Sequence, residues 1–227
     1  HGANLALFGK LGYDPVKDFA PISFLASVTN IISVHPSVPV NSLAELVAMA
    51  KAKPGQLSYA SSGNGTSTHL AAELFKALAG VDITHIPYKG SAPAVADTIA
   101  GHVPMIVDSV ASSTAHVKAG KLKALATTGP KRLAVLPELP TVAESGYPGF
   151  ASVAWFGLLA PAGTPKAIVE QLNAQVLKVM ALPETRERMA AFGVEITTST
   201  PDEFAAHIRS EMAKLGMGSL LGVGQGS

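Results

Sequence analysis

Between about residue 30 and residue 130, short β-branched or apolar runs alternate with stretches whose apolar residues recur every three or four positions. That alternation predicts βαβ units on a parallel sheet, and hence an α/β protein. Residues 31–35 read as a strand stopped by Pro36. Ser42-Leu43-Ala44-Glu45 then forms a capping box that opens a helix to about Lys53, closed by Pro54-Gly55. Residues 57–60 predict the next strand. The helix after it places Leu70, Leu74 and Leu78 on one face before Gly80 ends it. The pattern repeats with a strand at 83–87, a helix at 92–100, a strand at 103–107, a helix running to Lys118 and a strand at 122–127.

Beyond Thr128 the pattern loosens around Pro130, Pro137 and Pro140, with a short helix expected at 141–145 and a connector at Tyr147-Pro148-Gly149. Residues 153–160 read as an apolar strand containing Trp155. Thr164-Pro165 is expected to cap a helix reaching Met180, with proline at its first position. Thr200-Pro201-Asp202-Glu203 is a second capping box, and the final helix carries Phe204, Ile208, Met212 and Leu215 as a core-facing stripe. No repeat of solenoid period is visible.

In open α/β sheets, ligands gather outside the carboxyl ends of the strands. Three loops of this chain are expected at that edge. The first is Ser61-Ser62-Gly63-Asn64-Gly65-Thr66-Ser67-Thr68-His69, where a strand ends in small polar residues and a helix begins. It reads as an anion cradle: Gly63 and Gly65 let the backbone turn, Thr66 and Ser67 offer hydroxyls, and the helix start offers unpaired N–H groups. The bland alternative is a glycine-rich turn with an ordinary cap. His69 either touches a ligand or is satisfied by backbone or solvent. The second loop brings Tyr88, a phenol able to bond a carboxylate, and Lys89, whose ammonium either adds attraction or stays in water. The third brings Asp108 and Ser109, where Asp108 either accepts from a ligand ammonium or hydroxyl, directly or through water, or caps the next helix.

Composition narrows the classes. Of 227 residues, 48% are hydrophobic and 15% charged, with mean hydropathy +0.31, which suits a compact, alanine-rich protein. A net charge of +1, with no basic cluster interleaved with aromatics, argues against nucleic-acid binding. The absence of cysteine excludes thiolate catalysis and thiolate metal ligation and is compatible with an oxidising compartment. The long uncharged stretches that include 22–44 and 145–165 are broken by Pro, Asn, Ser and Gly, so no membrane span is expected. The chain begins at His1 with neither Met nor signal peptide, so either a leader was removed or a larger piece is missing, and residues 216–227 read as a frayed glycine-rich end. No G-x-S-x-G, G-x-G-x-x-G or G-x-x-x-x-G-K-[ST] motif occurs, and the seven histidines lack metal-ligand spacing. No cofactor, metal or catalytic residue is therefore expected. The enzyme alternative is a serine hydrolase using Ser61, Ser62 or Ser67 with His69 and Asp108.

Several motifs in order resemble the tripartite tricarboxylate transporter substrate-binding proteins, the Bug receptors of the Bordetella uptake gene family. They are Asn4 with Tyr13-Asp14-Pro15-Val16-Lys17-Asp18-Phe19, His35-Pro36-Ser37, the cradle with Leu70-Ala71-Ala72-Glu73-Leu74-Phe75, and His85-Ile86-Pro87-Tyr88-Lys89-Gly90. Gly120-Lys121-Leu122-Lys123-Ala124-Leu125-Ala126, Leu139-Pro140-Thr141-Val142-Ala143-Glu144-Ser145-Gly146 and Ala160-Pro161-Ala162-Gly163-Thr164-Pro165 follow. The resemblance implies a periplasmic-binding-protein-like (type II) fold of two lobes with a ligand cleft between them. Residues 31–149 would form one lobe, and residues 1–30 with 150–227 the other, lacking its first βαβ portion at the N-terminus. It further implies a periplasmic, non-enzymatic receptor that captures a small carboxylate (a di- or tricarboxylate, amino acid or aromatic acid) and delivers it to the membrane components of the transporter. A monomer is expected, with association if the lobe is truncated. A ligand sensor for a signalling partner would use the same cleft and stays open.

Overall fold

The computed structural model describes residues 12–219. Asn4 and residues 220–227 of the glycine-rich tail lie outside them. The chain divides into two compact units, Val28–Ala154 and the residues on either side of it. Strand β1 (Phe19–Val34) starts in one unit and ends in the other.

In the unit Val28–Ala154 the sheet order is β3-β2-β4-β1-β5, with β2 (Ser58–Ser61), β3 (Thr84–Pro87), β4 (Met105–Ser109) and β5 (Lys123–Thr127). β2 lies parallel to β3 and β4, whereas β1 runs antiparallel to β4 and β5, with Ile31 opposite both Asp108 and Thr127. The all-parallel sheet expected from sequence is therefore corrected: four strands share a direction and β1 opposes them. A strand buried on both faces gives the same apolar run in either direction, so Ile31, Ile32 and Val34 carried no sign of it.

Alternation along the strands sorts the core. Tyr59, Met105 and Val107 face one cluster, shared with helices α1 (Leu43–Ala52) and α2 (Ser67–Ala79), while Ala60 and Ile106 face another, shared with Ala94 and Val95 of α3 (Ser91–Ile99). Helix α1 starts at the expected box: Ser42 accepts the Glu45 amide at 3.2 Å, and Glu45 reaches back to the Asn41 amide at 2.7 Å. Helix α2 ends at Gly80 in the left-handed region. It buries Thr68, Ala71, Ala72, Phe75 and Ala79, not the leucine stripe, and Leu78 is 55% exposed. Alanines allow the closer approach to the sheet, and the adjacent stripe, one residue on, is the one that packs. Helix α4 (Val110–Lys118) follows β4 directly. The helix expected at 141–145 is a turn: Thr141 and Glu144 cap each other at 2.8 and 3.0 Å, but Gly146 at φ +106° ends the chain direction before a helix propagates.

In the other unit, β6 (Val153–Pro161) and β7 (Val194–Ile196) pair with β1, alongside α5 (Lys166–Ala181), α6 (Pro183–Ala191) and α7 (Pro201–Ser219). Pro165 is itself the N-cap of α5, without a side-chain cap bond, so Thr164 does not cap as expected. The Thr200–Glu203 box forms, with bonds of 2.8 and 3.3 Å. Phe204 and Ile208 are buried and Met212 is half-buried; the Leu215 side chain lies outside the described residues.

Candidate functional site

Because β2, β3 and β4 run in one direction, the segments that follow them share one edge, and the backbone knits them together. The Tyr88 amide donates to the Ser61 carbonyl at 3.1 Å and the Gly90 amide to that of Ser62 at 3.0 Å. Gly63, at φ +133°, packs so closely that a Cβ there would stand 2.8 Å from the Tyr88 carbonyl oxygen. Glycine is required at this point for both reasons.

The cradle is built from hydroxyls. Thr66, the N-cap of α2, accepts the His69 amide at 3.4 Å and donates to the Gly63 carbonyl at 2.7 Å. Thr68 Oγ1 is 2.8 Å from Thr66 Oγ1 and 2.8 Å from Ser62 Oγ, and it accepts the Ser62 amide at 3.1 Å. Since the Thr66 proton goes to Gly63, the Thr68 proton goes to Thr66 and that of Ser62 to Thr68. One directed chain of hydrogen bonds thus shapes the turn, each bond polarising the next. Among the described residues, the amides of Ser67 and Thr68 and the Ser67 hydroxyl have no hydrogen-bond partner, as expected at a helix start open to an anion. Asn64 is exposed, and the Thr66 hydroxyl is committed to the turn.

Behind the turn stands a stack of rings. His69 lies 4.1 Å from His85 at 10°, and His85 lies 4.8 Å from Tyr59 at 20°. His69 Nδ1 accepts the Gly65 amide at 3.0 Å; His85 Nε2 is 2.7 Å from Ser61 Oγ, which accepts the Gly63 amide at 3.1 Å. Burial holds His69 below the usual histidine range, and burial together with the charge of His69 pushes His85 down to about 4. Both rings are therefore neutral at pH 7. Glu73 takes bonds of 2.7 Å from both Tyr59 and Lys76. Burial works to raise its pKa, but these donors hold it below the usual carboxylate range, while burial and then Glu73 raise Tyr59.

The remaining expected residues divide. Tyr88 turns its hydroxyl to Asp97 on α3 at 2.7 Å, and burial with that bond pushes it up to about 12. Lys89 is exposed. Asp108 is buried and accepts three hydroxyls, from Ser91 at 2.5 Å, Ser112 at 2.6 Å and Ser113 at 2.9 Å. The cap of α4 is Ser109, which accepts the Ser112 amide at 3.3 Å. Among the described residues no hydrogen bond joins Ser61, Ser62 or Ser67 to His69, or His69 to Asp108: Ser61 meets His85, Ser62 meets Thr68 and Asp108 holds three other serines, so the relay of the hydrolase alternative is not assembled.

Three residues escaped the sequence reading. Thr68 was hidden in a run of hydroxyl residues, and His85 becomes visible only through its pairing with Tyr59. Asn30 is fully buried on β1 opposite Ser109; its Nδ2 donates to the Ser67 carbonyl at 3.3 Å, and its Oδ1 has no partner among the described residues. A lone amide in an apolar strand was the signal. Elsewhere in the same unit a groove of about 760 Å³ opens at the far end of β5, lined by Leu43, Leu125, Val135, Leu136 and Leu139. Its wall also carries Glu138, Glu144 and Lys123, whose ammonium is already taken by the Val40 carbonyl and Asn41, so it suits a carboxylate poorly. Among the described residues no cluster of three His, Asp or Glu could hold a metal, and no helix is long and apolar enough to cross a membrane.

The chain matches the family described as "Tripartite tricarboxylate transporter family receptor" over residues 3–218. The UPF0065 protein of the tcbD-tcbE intergenic region of Pseudomonas sp. strain P51 is 38% identical over 205 residues, covering 90% of this chain and 61% of its own. The chain thus spans less than two thirds of the length of that relative. Among solved structures, R. palustris Rpa4515 with adipate aligns with TM-score 0.88 and 36% identity, over 96% of this chain and 75% of that one. MatC (Rpa3494) from Rhodopseudomonas palustris with bound malate aligns with TM-score 0.85 and 32% identity, over 95% and 74%. The expected α/β binding-protein fold is shared with both. With the family match extending over nearly every residue, the chain belongs to the tripartite tricarboxylate transporter receptor family.

Proposed function

We propose that this protein is a periplasmic solute-binding receptor that captures a small carboxylate without an ammonium group and delivers it to the membrane components of a tripartite tricarboxylate transporter. The observation that carries the reading is the start of α2, where the Ser67 and Thr68 amides and the Ser67 hydroxyl point to no partner while the surrounding hydroxyls are committed to holding the turn. One carboxylate of the ligand would sit there. The two units would serve as the lobes of the receptor, residues 31–149 supplying this wall.

Ligand class follows from the carboxylates at the edge. Asp108, which could have received an ammonium, is occupied by three seryl hydroxyls; Asp97 holds Tyr88, and Glu73 holds Tyr59 and Lys76. An amino acid would find no free counter-charge on this wall, whereas a dicarboxylate needs none. Adipate and malate, carried by two solved relatives, are both dicarboxylates.

A thermal-shift and calorimetry series with adipate, malate, succinate and aspartate tests the reading. Ligand at a hundredfold its Kd stabilises a receptor by about 2.7 kcal/mol, or about 5–10 °C for a chain of this length. Dicarboxylates are expected to give that shift and aspartate a smaller one. Silence from every dicarboxylate, or tightest binding of aspartate, would count against it.

A further inference from the structure

The turn between β2 and α2 is held from below by the two imidazoles. His69 takes the Gly65 amide directly at 3.0 Å, and His85 holds Ser61, whose oxygen takes the Gly63 amide. The first of these bonds demands a bare Nδ1. A ring that carries a proton on both nitrogens is only a donor and would face the Gly65 N–H with another N–H.

We infer that His69 is a positioning residue for the cradle: as a neutral ring it fixes the Gly65 amide and the turn in front of Ser67, and on taking a proton it releases that amide and lowers affinity for the carboxylate. The inference rests on the carboxylate reading above and adds a pH dependence to the same site.

The groups acting on His69 come from three elements. On α2 itself are Glu73, which favours the proton, and Lys76, which opposes it. The Glu73 carboxylate is already shared between Lys76 and Tyr59 of β2, so its pull is spent in part on them. On β3 stands His85, face to face at 4.1 Å; held down to about 4, it is uncharged from pH 7.5 to pH 5.0 and leaves the charge balance at His69 to Glu73 and Lys76. Burial is the largest influence and, with Lys76, outweighs Glu73 and moves the change below the ordinary histidine range. The sign is thus set: cradle geometry is intact at and above neutral pH and lost as pH falls. A bound carboxylate would pull the other way by attracting an imidazolium, so affinity that rises on acidification is the contrary outcome.

Calorimetry of the full chain with malate and with adipate, from pH 7.5 to pH 5.0, tests this in wild type and in His69→Asn and His69→Phe. Asn places a non-titrating acceptor oxygen where Nδ1 stands; Phe keeps a stacking ring and has no acceptor. The ligand's own titration is common to all three proteins and cancels in their ratios. Wild-type affinity is expected to fall progressively relative to His69→Asn toward pH 5.0, with about fivefold, the scale of one lost hydrogen bond, as the limit for a fully protonated ring. His69→Phe is expected to bind more weakly than His69→Asn at pH 7.5. In nuclear magnetic resonance spectra, the Gly65 amide shift should titrate in wild type and stay flat in His69→Asn. Parallel pH profiles for wild type and His69→Asn, or affinity rising toward pH 5.0, would overturn the role of His69 and leave the carboxylate reading standing. Binding of neither ligand to wild type at any pH would overturn both.

Discussion

Thr68→Val isolates the hydroxyl chain that shapes the cradle. Valine has the shape and branching of threonine, so the change opens no cavity and asks for no new rotamer. What disappears is one oxygen of a buried residue, bound to three groups: the Ser62 amide at 3.1 Å, the Ser62 hydroxyl at 2.8 Å and the Thr66 hydroxyl at 2.8 Å. The Ser62 hydroxyl can rotate toward another acceptor, and the Thr66 hydroxyl keeps its bond to the Gly63 carbonyl. The Ser62 amide cannot, because its direction is set by the end of β2. Leaving a buried donor without a partner costs about 1–3 kcal/mol; Ser62 is half-buried, so solvent recovers part of this and about 1–2 kcal/mol remains.

That cost corresponds to a Tm lower by about 2–8 °C for a chain of this length. Hydrogen exchange gives the local measure: the Ser62 amide should exchange about five to thirty times faster, since each tenfold corresponds to about 1.4 kcal/mol. Thr68→Ser is the control, because it keeps the oxygen and loses only a methyl group. Malate affinity should fall in Thr68→Val and be retained far better in Thr68→Ser. Equal losses in the two variants, or an unchanged Ser62 exchange rate in Thr68→Val, would refute the claim that the hydroxyl chain shapes the site.

Three further outcomes follow from the same structure. Gly157→Ala on β6 would put a Cβ 2.0 Å from the ring of the fully buried Phe204; overpacking of this kind costs about 1–3 kcal/mol or more, read as a lower urea midpoint that Phe204→Leu partly restores. Asp108→Asn replaces an acceptor of three hydroxyls by a group with only one acceptor oxygen; hydrogen bonds to charged groups are worth about 1.5–3 kcal/mol each, and a loss of at least about 2 kcal/mol is expected by chemical denaturation. Stability should fall on acidification from pH 7 to 5, above the carboxylate range, because His69 and His85 are held neutral in the fold, with His85 near about 4, while the unfolded chain takes up protons at the ordinary histidine pKa; a urea midpoint that rises over this interval would contradict the assignment.

The parts of the fold legible in the sequence were those decided within a few residues. Ser42 with Glu45, Thr200 with Glu203, and Gly80 after α2 announce helix ends by chemistry that needs no distant partner. Thr141 with Glu144 shows the limit of that logic, since the same box formed on a segment too short to continue as a helix. Strand direction was not legible at all. β1 enters the sheet from the other unit, and its run of isoleucine and valine would look the same whichever way it ran. At the candidate site, the position of the turn could be read from Gly63 and Gly65, but the division of labour within it could not. Which hydroxyl is spent on structure and which is left open depends on Thr68 folding back onto Ser62, six residues away, and on His85 arriving from β3.

Three helices, α2, α3 and α4, start at this edge, and the position of Asp108 distinguishes them. Each start carries a partial positive charge worth about 0.3–1 kcal/mol to a nearby anion. Ser91 opens α3, and Ser112 and Ser113 lie in the first turns of α4; all three donate to Asp108, so those two helices already share a resident carboxylate. Helix α2 has no acidic residue in its first turn, and Glu73, one turn on, is directed to Tyr59 and Lys76. The edge therefore holds one buried carboxyl group, Asp108, shared by two helix starts, and none at the third; on the proposed function that third start is where the ligand carboxylate would sit. The arginine of this unit, Arg132, is paired with Glu144 at 3.0 Å. On the proposed function, neutral donors on this turn would attract a carboxylate without retaining it as strongly as a guanidinium would, as a ligand that has to be passed on requires.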